Sequence, residues 1–528
     1  MNVRFLALTL SLLAGLLPTF PVRAQTTYDL ILRRGMVLDG TGNPWYRADV
    51  AVQGDRIAAV GDLSAARGRR EVDASRLFVA PGFIDVHSHA GPGLATPGLS
   101  GAWPLLAQGI TTVFVNPDGG GPSDLVAQRA ALEKDGLGVN VAQLVSHGTI
   151  HEAVVGMDDR DPTPAEMRRM DDMVRAGMEA GAFGLSSGLF YTPANFSRTG
   201  EVVEMARVAA EYGGAYTSHI RDESDYTVGL IAAVDEVITV AREAGLPGVV
   251  SHVKALGPHV WGYSTAIVER IEGARRQGIE VWADQYPYEA SGSGVQSALV
   301  PRWAQEGGDA AMVARLDDPA TRDRLRKEMW ENLDRRGGAD RLQIRRFEPD
   351  PTYEGKTLQQ VADASGVDPI EMAARLLERG GASFVSFNMN PRDVETLMRQ
   401  PWTMTSTDGD LVPMGEGVPH PRSYGTYRPK LRLYVQEKGV IDLAQAVRSM
   451  TSLPAAVFRV KDRGEIRAGA FADLAVFDLD KVRDLATFQE PHQISQGMVY
   501  VLVNGRMTVD DARPADTRPG RVLNRRTN

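Results

Sequence analysis

Histidines and aspartates fall along this chain at intervals that say more than their number. His87 and His89 follow the apolar stretch Phe83-Ile84-Asp85-Val86. Side chains on an extended strand repeat every two residues, so both imidazoles would point to one face and Ser88 to the other. That is chelating geometry, although an isolated His-x-His is as readily an ordinary surface or core pair. Two further histidines end short strands, His219 in Tyr216-Thr217-Ser218-His219 and His252 in Val249-Val250-Ser251-His252. Four of only nine histidines therefore close strands, which turns a weak pair into a set. Imidazole nitrogen suits zinc, and a carboxylate can complete the ligands. Asp408, in Thr405-Ser406-Thr407-Asp408-Gly409-Asp410, ends another strand and would face the same place. The plainer alternative for it is a capping or turn aspartate. A carboxylate there can accept a proton from an attacking water and hand it to a leaving amine. The spacing points to metal-assisted hydrolysis.

The elements that must position these groups follow from the same intervals. Polar residues at strand ends recur as His87, Asp118, His147, Ser187, His219, His252 and Asp284, in steps of 31, 29, 40, 32, 33 and 32 residues. Each step is close to the ~30 residues of a strand–helix–strand unit, so these residues sit at one end of successive parallel strands. In a (β/α)8 barrel that end carries the active site. Thr403-Met404-Thr405-Ser406 supplies an eighth strand, and Ser383–Phe387 is a surplus ninth, assigned to an excursion outside the barrel. Residues 302–347 are dense in Arg, Asp and Glu and read as a solvated helical insertion, with a substrate lid as the sharper alternative. Short alternating strands occupy residues 28–80, and others lie at 472–477 and 498–503, the last followed by the hairpin signal Asn504-Gly505. The expected fold is α/β: a metal-dependent TIM-like (β/α)8 barrel over 81–453 with an insertion at about 302–347. A small β-sandwich is expected from both chain ends, residues 25–80 and 454–528.

Composition narrows the classes. With 43% hydrophobic and 24% charged residues the chain is neither disordered nor fibrous. Its net charge of −9 and lack of a basic stripe argue against nucleic-acid binding. Arg4 precedes a 13-residue run from Phe5 to Leu17, then Pro18 and Val22-Arg23-Ala24. That is the pattern of a secretory signal over residues 1–24, too short to span a bilayer, with an uncleaved anchor as the alternative. A periplasmic or secreted protein, with no membrane attachment after cleavage, is expected. The absence of cysteine rules out disulfides, leaving core and metal as sources of stability.

Taken together, Pro81-Gly82-Phe83-Ile84-Asp85-Val86-His87-Ser88-His89, Ser218-His219-Ile220-Arg221, Ser251-His252-Val253-Lys254 and Ser406-Thr407-Asp408-Gly409 resemble the amidohydrolase superfamily. The resemblance is nearest to its N-acyl-D-amino-acid deacylases. Gly109-Ile110-Thr111-Thr112-Val113, Gly184-Leu185-Ser186-Ser187-Gly188-Leu189, His420-Pro421-Arg422 with Gly425-Thr426, and Met450-Thr451-Ser452-Leu453-Pro454-Ala455-Ala456 extend it over nearly the whole chain. The resemblance implies one or two zinc ions, His87 and His89 holding the weaker and His219 and His252 the tighter. It implies Asp408 as general base and acid, and Lys254, Tyr288 and Arg422 as receivers of the carboxylate of a small-molecule substrate. An ammonium, a phenol and a bidentate guanidinium suit that anion.

Two departures stand out. The family commonly has cysteine as the third zinc ligand, whereas this chain reads Val115-Asn116-Pro117-Asp118-Gly119 and places Asp118 there. A carboxylate is harder than a thiolate, so Mn2+ or Co2+ becomes more competitive. Ala90 also stands where an acidic residue is common. His147 reads equally as a support for the ligands or as packing, and His151, His259 and His492 as uninvolved. Gly119-Gly120-Gly121 lacks the Lys-Ser/Thr of a phosphate loop. Cleavage of a cyclic amide, as by hydantoinases or dihydroorotases, is the alternative activity, and metal binding without catalysis the alternative class. Side-chain preference, acyl length, metal count and oligomeric state have no signature in the sequence.

Overall fold

The computed structural model describes residues 26–526, and the leader expected over residues 1–24 lies outside them. Eight short strands form the centre: β1 (Phe83–Asp85), β2 (Ile110–Val115), β3 (Asn140–Gln143, continued by Val145–Ser146), β4 (Gly184–Gly188), β5 (Ala215–His219), β6 (Gly248–Val250), β7 (Val281–Gln285) and β8 (Thr403–Thr405). Each pairs in parallel with the next, from β1 through β8. They are almost entirely buried, as strands covered on both faces must be.

The barrel closes between β8 and β1 without a regular ladder. The backbone N–H and hydroxyl of Thr407 donate to the Asp85 carboxylate at 2.8 and 2.5 Å, and Asp408 N–H donates to His87 O at 2.8 Å. The Tyr427 hydroxyl lies between the carbonyls of Ile84 (2.9 Å) and Thr405 (3.2 Å). Side chains thus satisfy backbone groups that a ladder would otherwise pair.

The outer layer is helical because its sequences carry one apolar stripe per helix. Helices used below are α1 (His147–Val154), α2 (Pro164–Glu179), α3 (Thr199–Glu211) and α4 (Leu230–Ala244). In α4, Leu230, Ala233, Val234, Val237, Ile238 and Ala241 are buried, the i, i+3, i+4, i+7 spacing of an amphipathic helix. A reciprocal cap, Thr163 with Glu166, starts α2.

Both chain ends meet in one nine-stranded sheet, in which Leu474–Phe477 pairs antiparallel with Phe78–Pro81. Period two divides its residues: Leu474 and Val476 fill the sandwich interior, while Ala475 and Phe477 join the core shared with the barrel. Asn504 (φ 48°) and Gly505 (φ 75°) make the two-residue turn between Met498–Val503 and Arg506–Asp510. The Asn504 amide donates to Asn140 of β3 at 2.8 Å, tying this hairpin to the barrel floor.

Ser383–Ser386 is not a barrel strand. It pairs antiparallel with Ser291–Gly294 on one side and Leu342–Arg346 on the other. The helical segment expected over 302–347 is one part of this larger unit, which spans Ser291 to Ser386 and has its own core around Leu299, Leu325, Met329, Ile344 and Phe384. Its charge-rich helix Arg322–Arg335 buries only Leu325, Met329, Asn332 and Leu333, so the charges form its solvated face.

Candidate metal centre and active site

The loops that follow the barrel strands turn sharply, and the candidate ligands sit on those turns. Asp118 (φ 56°), His252 (φ 37°) and Asp408 (φ 49°) all occupy the left-handed region, which L-residues rarely adopt. Such strain survives only where surrounding contacts enforce it, and it concentrates at functional sites. The contacts are visible. Asp284, at the end of β7, accepts from the backbone N–H of His252 at 2.9 Å and from the Ser406 hydroxyl at 2.6 Å. Gly188, on β4, allows the Asp118 carbonyl so close that a Cβ there would lie 2.1 Å from it.

These turns bring six predicted residues together. Asp118 lies at the middle: Oδ1 is 3.3 Å from His87 Nε2, 3.5 Å from His252 Nε2 and 3.8 Å from His219 Nδ1, while Oδ2 is 3.3 Å from His89 Nε2. Asp408 Oδ1 is 3.2 Å from His89 Nε2 and 3.7 Å from His87 Nε2. Two donor sets result, His87–His89–Asp118–Asp408 and Asp118–His219–His252, sharing the Asp118 carboxylate. His87 Nε2, Asp118 Oδ1 and both ring nitrogens of His219 are buried and make no hydrogen bond among the described residues. Buried polar atoms without partners are rare, and here they converge on one another. A nitrogen and carboxylate-oxygen set of this kind suits zinc, with manganese and cobalt also compatible, so the residues fit one or two divalent ions.

The field at the site favours cations. Burial acts to lower the His89 imidazole, yet Asp118 and Asp408 outweigh it and push it up to about 10. Burial opposes ionisation of Asp408, but Arg422 and the neighbouring imidazoles hold its carboxyl well below the usual range. His219 is driven down to about 3, chiefly by burial, and is the neutral imidazole a metal requires.

The substrate-facing candidates divide. Arg422 Nη1 meets Asp408 Oδ2 at 2.8 Å, and its guanidinium lies 4.8 Å from the Tyr286 ring centre. Lys254 is buried beside the centre, with Nζ 2.8 Å from His252 Nδ1 and donating to Glu223. Tyr288 does not line the cavity: its hydroxyl donates to Asp484 at 3.1 Å and its ring packs on His420 and Phe488. Tyr286, two residues earlier, lines the cavity in its place. The cavity is about 850 Å3 and opens directly onto the two donor sets.

Sequence reasoning passed over Glu223, Asp410 and Arg345. Glu223 contacts His219 (3.6 Å), His252 (3.2 Å) and Lys254, and Lys254 holds its carboxyl low against the opposing effect of burial. Its position four residues after His219 was the available signal. Arg345, from the outlying unit, pairs with Asp410 at 2.8 Å on the cavity wall. His147 lies away from this centre, against His151 and Glu201.

Residues 70–509 match the model of an amidohydrolase family. The chain belongs to that family. This amidohydrolase is 37% identical over 524 residues to the N-acyl-D-glutamate deacylase of Alcaligenes xylosoxydans xylosoxydans, covering 95% of this chain and 97% of the relative. It is 33% identical over 524 residues to the D-aminoacylase of the same organism, covering 94% and 98%. Among solved structures, the N-acyl-D-glutamate deacylase of Bordetella bronchiseptica, crystallised with zinc and a phosphonate mimic of the tetrahedral intermediate, superposes with a TM-score of 0.81 at 36% identity. That match covers 94% of this amidohydrolase and all of the other chain.

Proposed function

We propose that this amidohydrolase is a metal-dependent hydrolase that cleaves the amide bond of N-acyl-D-amino acids or related D-configured substrates carrying a free carboxylate. The observation that carries the reading is the carboxylate of Asp118 set between two imidazole pairs, with Asp408 beside it and Arg422 on the cavity wall. The full-length likeness to a D-glutamate deacylase and a D-aminoacylase supports the substrate class.

A divalent ion held by His87, His89, Asp118, His219, His252 and Asp408 would polarise the scissile carbonyl and supply a nucleophile at neutral pH. Asp408 is already ionised at that pH, ready to take a proton. Arg422 anchors Oδ2, leaving Oδ1 turned towards the histidines as the atom that carries the proton. Arg422 lines the cavity, and its guanidinium is the kind of group that receives a substrate carboxylate. Lys254 adds positive charge close by, and Tyr286, rather than Tyr288, supports the guanidinium. With carboxylate and carbonyl both fixed, the substrate side chain has one direction left, and the relatives' names favour the D enantiomer.

The leader pattern at residues 1–24 supports export, giving a periplasmic or secreted enzyme. Among the described residues no helix is long and apolar enough to cross a membrane. A panel of racemic N-acetyl amino acids, assayed with zinc and resolved by enantiomer, tests the activity. Release of D-amino acids with L-forms untouched is expected; equal rates on both enantiomers would end the D-specific reading.

A further inference from the structure

His147, His151 and Glu201 form a second cluster outside the cavity-facing centre. His147 and His151 lie one turn apart on α1, and Glu201 projects from the first turn of α3. Ser197, just ahead of α3, completes it. All four side chains are buried, Ser197 and both histidines almost completely.

The distances are those of a tetrahedral ion shell. Glu201 Oε1 is 2.9 Å from His147 Nε2, 2.9 Å from His151 Nδ1 and 2.9 Å from Ser197 Oγ. Ser197 Oγ is 3.1 Å from His151 Nδ1 and 3.4 Å from His147 Nε2. A tetrahedron with zinc–ligand bonds of about 2.0–2.1 Å has edges of about 3.3 Å. Five of the six edges here are 2.9–3.4 Å, the three to Glu201 Oε1 being shorter than that edge.

Protons explain the cluster poorly. His147 Nε2, His151 Nδ1 and Ser197 Oγ all crowd within 2.9 Å of Glu201 Oε1, which has two lone pairs, while Oε2 makes no hydrogen bond among the described residues. One point charge at the centre satisfies all four inward atoms without asking one oxygen to accept three bonds. We propose that His147, His151, Glu201 and Ser197 bind a divalent transition ion of the zinc class as a closed, structural site distinct from the barrel-mouth centre.

The site's place in the fold gives it work to do. Thr149, on α1, donates its backbone N–H to Gly119 O at 3.1 Å, next to Asp118. Gly148, Thr149 and Ala194 line the cavity. An ion joining α1 to the segment before α3 would clamp two adjacent walls of that cavity. The outward nitrogens, His147 Nδ1 and His151 Nε2, make no hydrogen bond among the described residues. Outer acceptors normally strengthen a metal's histidines, and their absence lowers the affinity expected of this site.

Zinc-saturated crystals of the full chain, measured on both sides of the zinc absorption edge, test this without depending on activity. An anomalous peak about 2 Å from His147 Nε2, His151 Nδ1 and Glu201 Oε1 is expected in addition to any at the barrel mouth. In Glu201→Gln that peak should vanish while the mouth peaks persist. Occupied mouth sites with no peak at His147 and His151 in the unaltered protein would overturn the proposal, and this arm stands even if the variant fails to fold. Persistence of the peak in a folded Glu201→Gln protein would also overturn it.

Discussion

The barrel mouth and the pocket between α1 and α3 both gather imidazoles around one carboxylate, yet they are built in opposite ways. At the mouth, Asp118, His252 and Asp408 sit on left-handed turns beyond strand ends, facing a cavity of about 850 Å3. In the pocket, His147, His151 and Glu201 ride on regular helices and face only one another. Strain is tolerated where groups must be aimed at a substrate. Where groups need only meet, helical spacing suffices. Function should therefore be sensitive to the mouth and stability to the pocket.

The largest expected effect breaks the mouth. Asp408→Asn should lower turnover at least ~10²-fold, the low end for losing a positioned acid–base group, while the ion of the Asp118–His219–His252 set is retained. Near-normal turnover, followed alongside elemental analysis, would mean another group carries the proton. Next is Arg422→Ala, which removes a charge-assisted contact worth ~1.5–3 kcal/mol. Turnover of N-acyl-amino acids should fall roughly 10- to 150-fold, and that of an amide lacking the carboxylate far less. Equal impairment on both substrates would confine Arg422 to its hold on the Asp408 carboxylate and end its role as carboxylate receiver.

Glu201→Gln sharpens the contrast from the other side. It should leave kcat within about threefold and lower the Tm by about 1–3 °C, as for a disrupted buried polar cluster in a large chain. A Tm unchanged in calorimetry, with kcat collapsed, would erase the distinction between the two clusters.

The last effect falls on the pH dependence of stability alone and concerns a buried amine with no carboxylate partner among the described residues. Lys430 donates to Thr405 Oγ1 at 2.6 Å and Ser449 Oγ at 2.9 Å, and burial brings its ammonium down to about 7 from 10.5. Between those values the unfolded chain holds the proton and the folded one does not, so stability rises with pH from about 7 towards 10.5. It is correspondingly lost as pH falls through 7, by about 1.4 kcal/mol per pH unit within the window. Lys430→Met should flatten that rise in denaturant titrations from pH 7 to 10. An unchanged slope would show that Lys430 stays protonated in the fold.

What could be read from the sequence follows the same division. A parallel barrel forces its strand ends to recur once per strand–helix unit, so His87, Asp118, His219 and His252 carried their own register, whereas Asp408, 124 residues beyond Asp284, was marked only by the strand it ends. Of the pocket only His147 fell on that recurrence. His147 and His151 show helical spacing, but Glu201 lies 54 residues from His147, beyond a helix and a strand, and nothing local points to it. Tyr288 came from the resemblance alone, and past the end of β7 at Gln285 no strand period fixes which tyrosine turns inward: Tyr288 reaches Asp484 while Tyr286 lines the cavity. The outlying unit looked smaller than it is because only its charged helix stands out in composition. Its three strands lie far apart in sequence and pair only in space.

That unit separates two inheritances. Its hydrophobic centre is independent of the barrel's, yet it lends Gly292, Arg345 and Ser383 to the cavity wall. Part of the wall that a substrate would meet therefore lies outside the barrel, in a segment with its own core. That segment is not detached from the strand ends, because its Arg345 pairs with Asp410, two residues beyond Asp408, so a change in its packing is felt at the reacting groups.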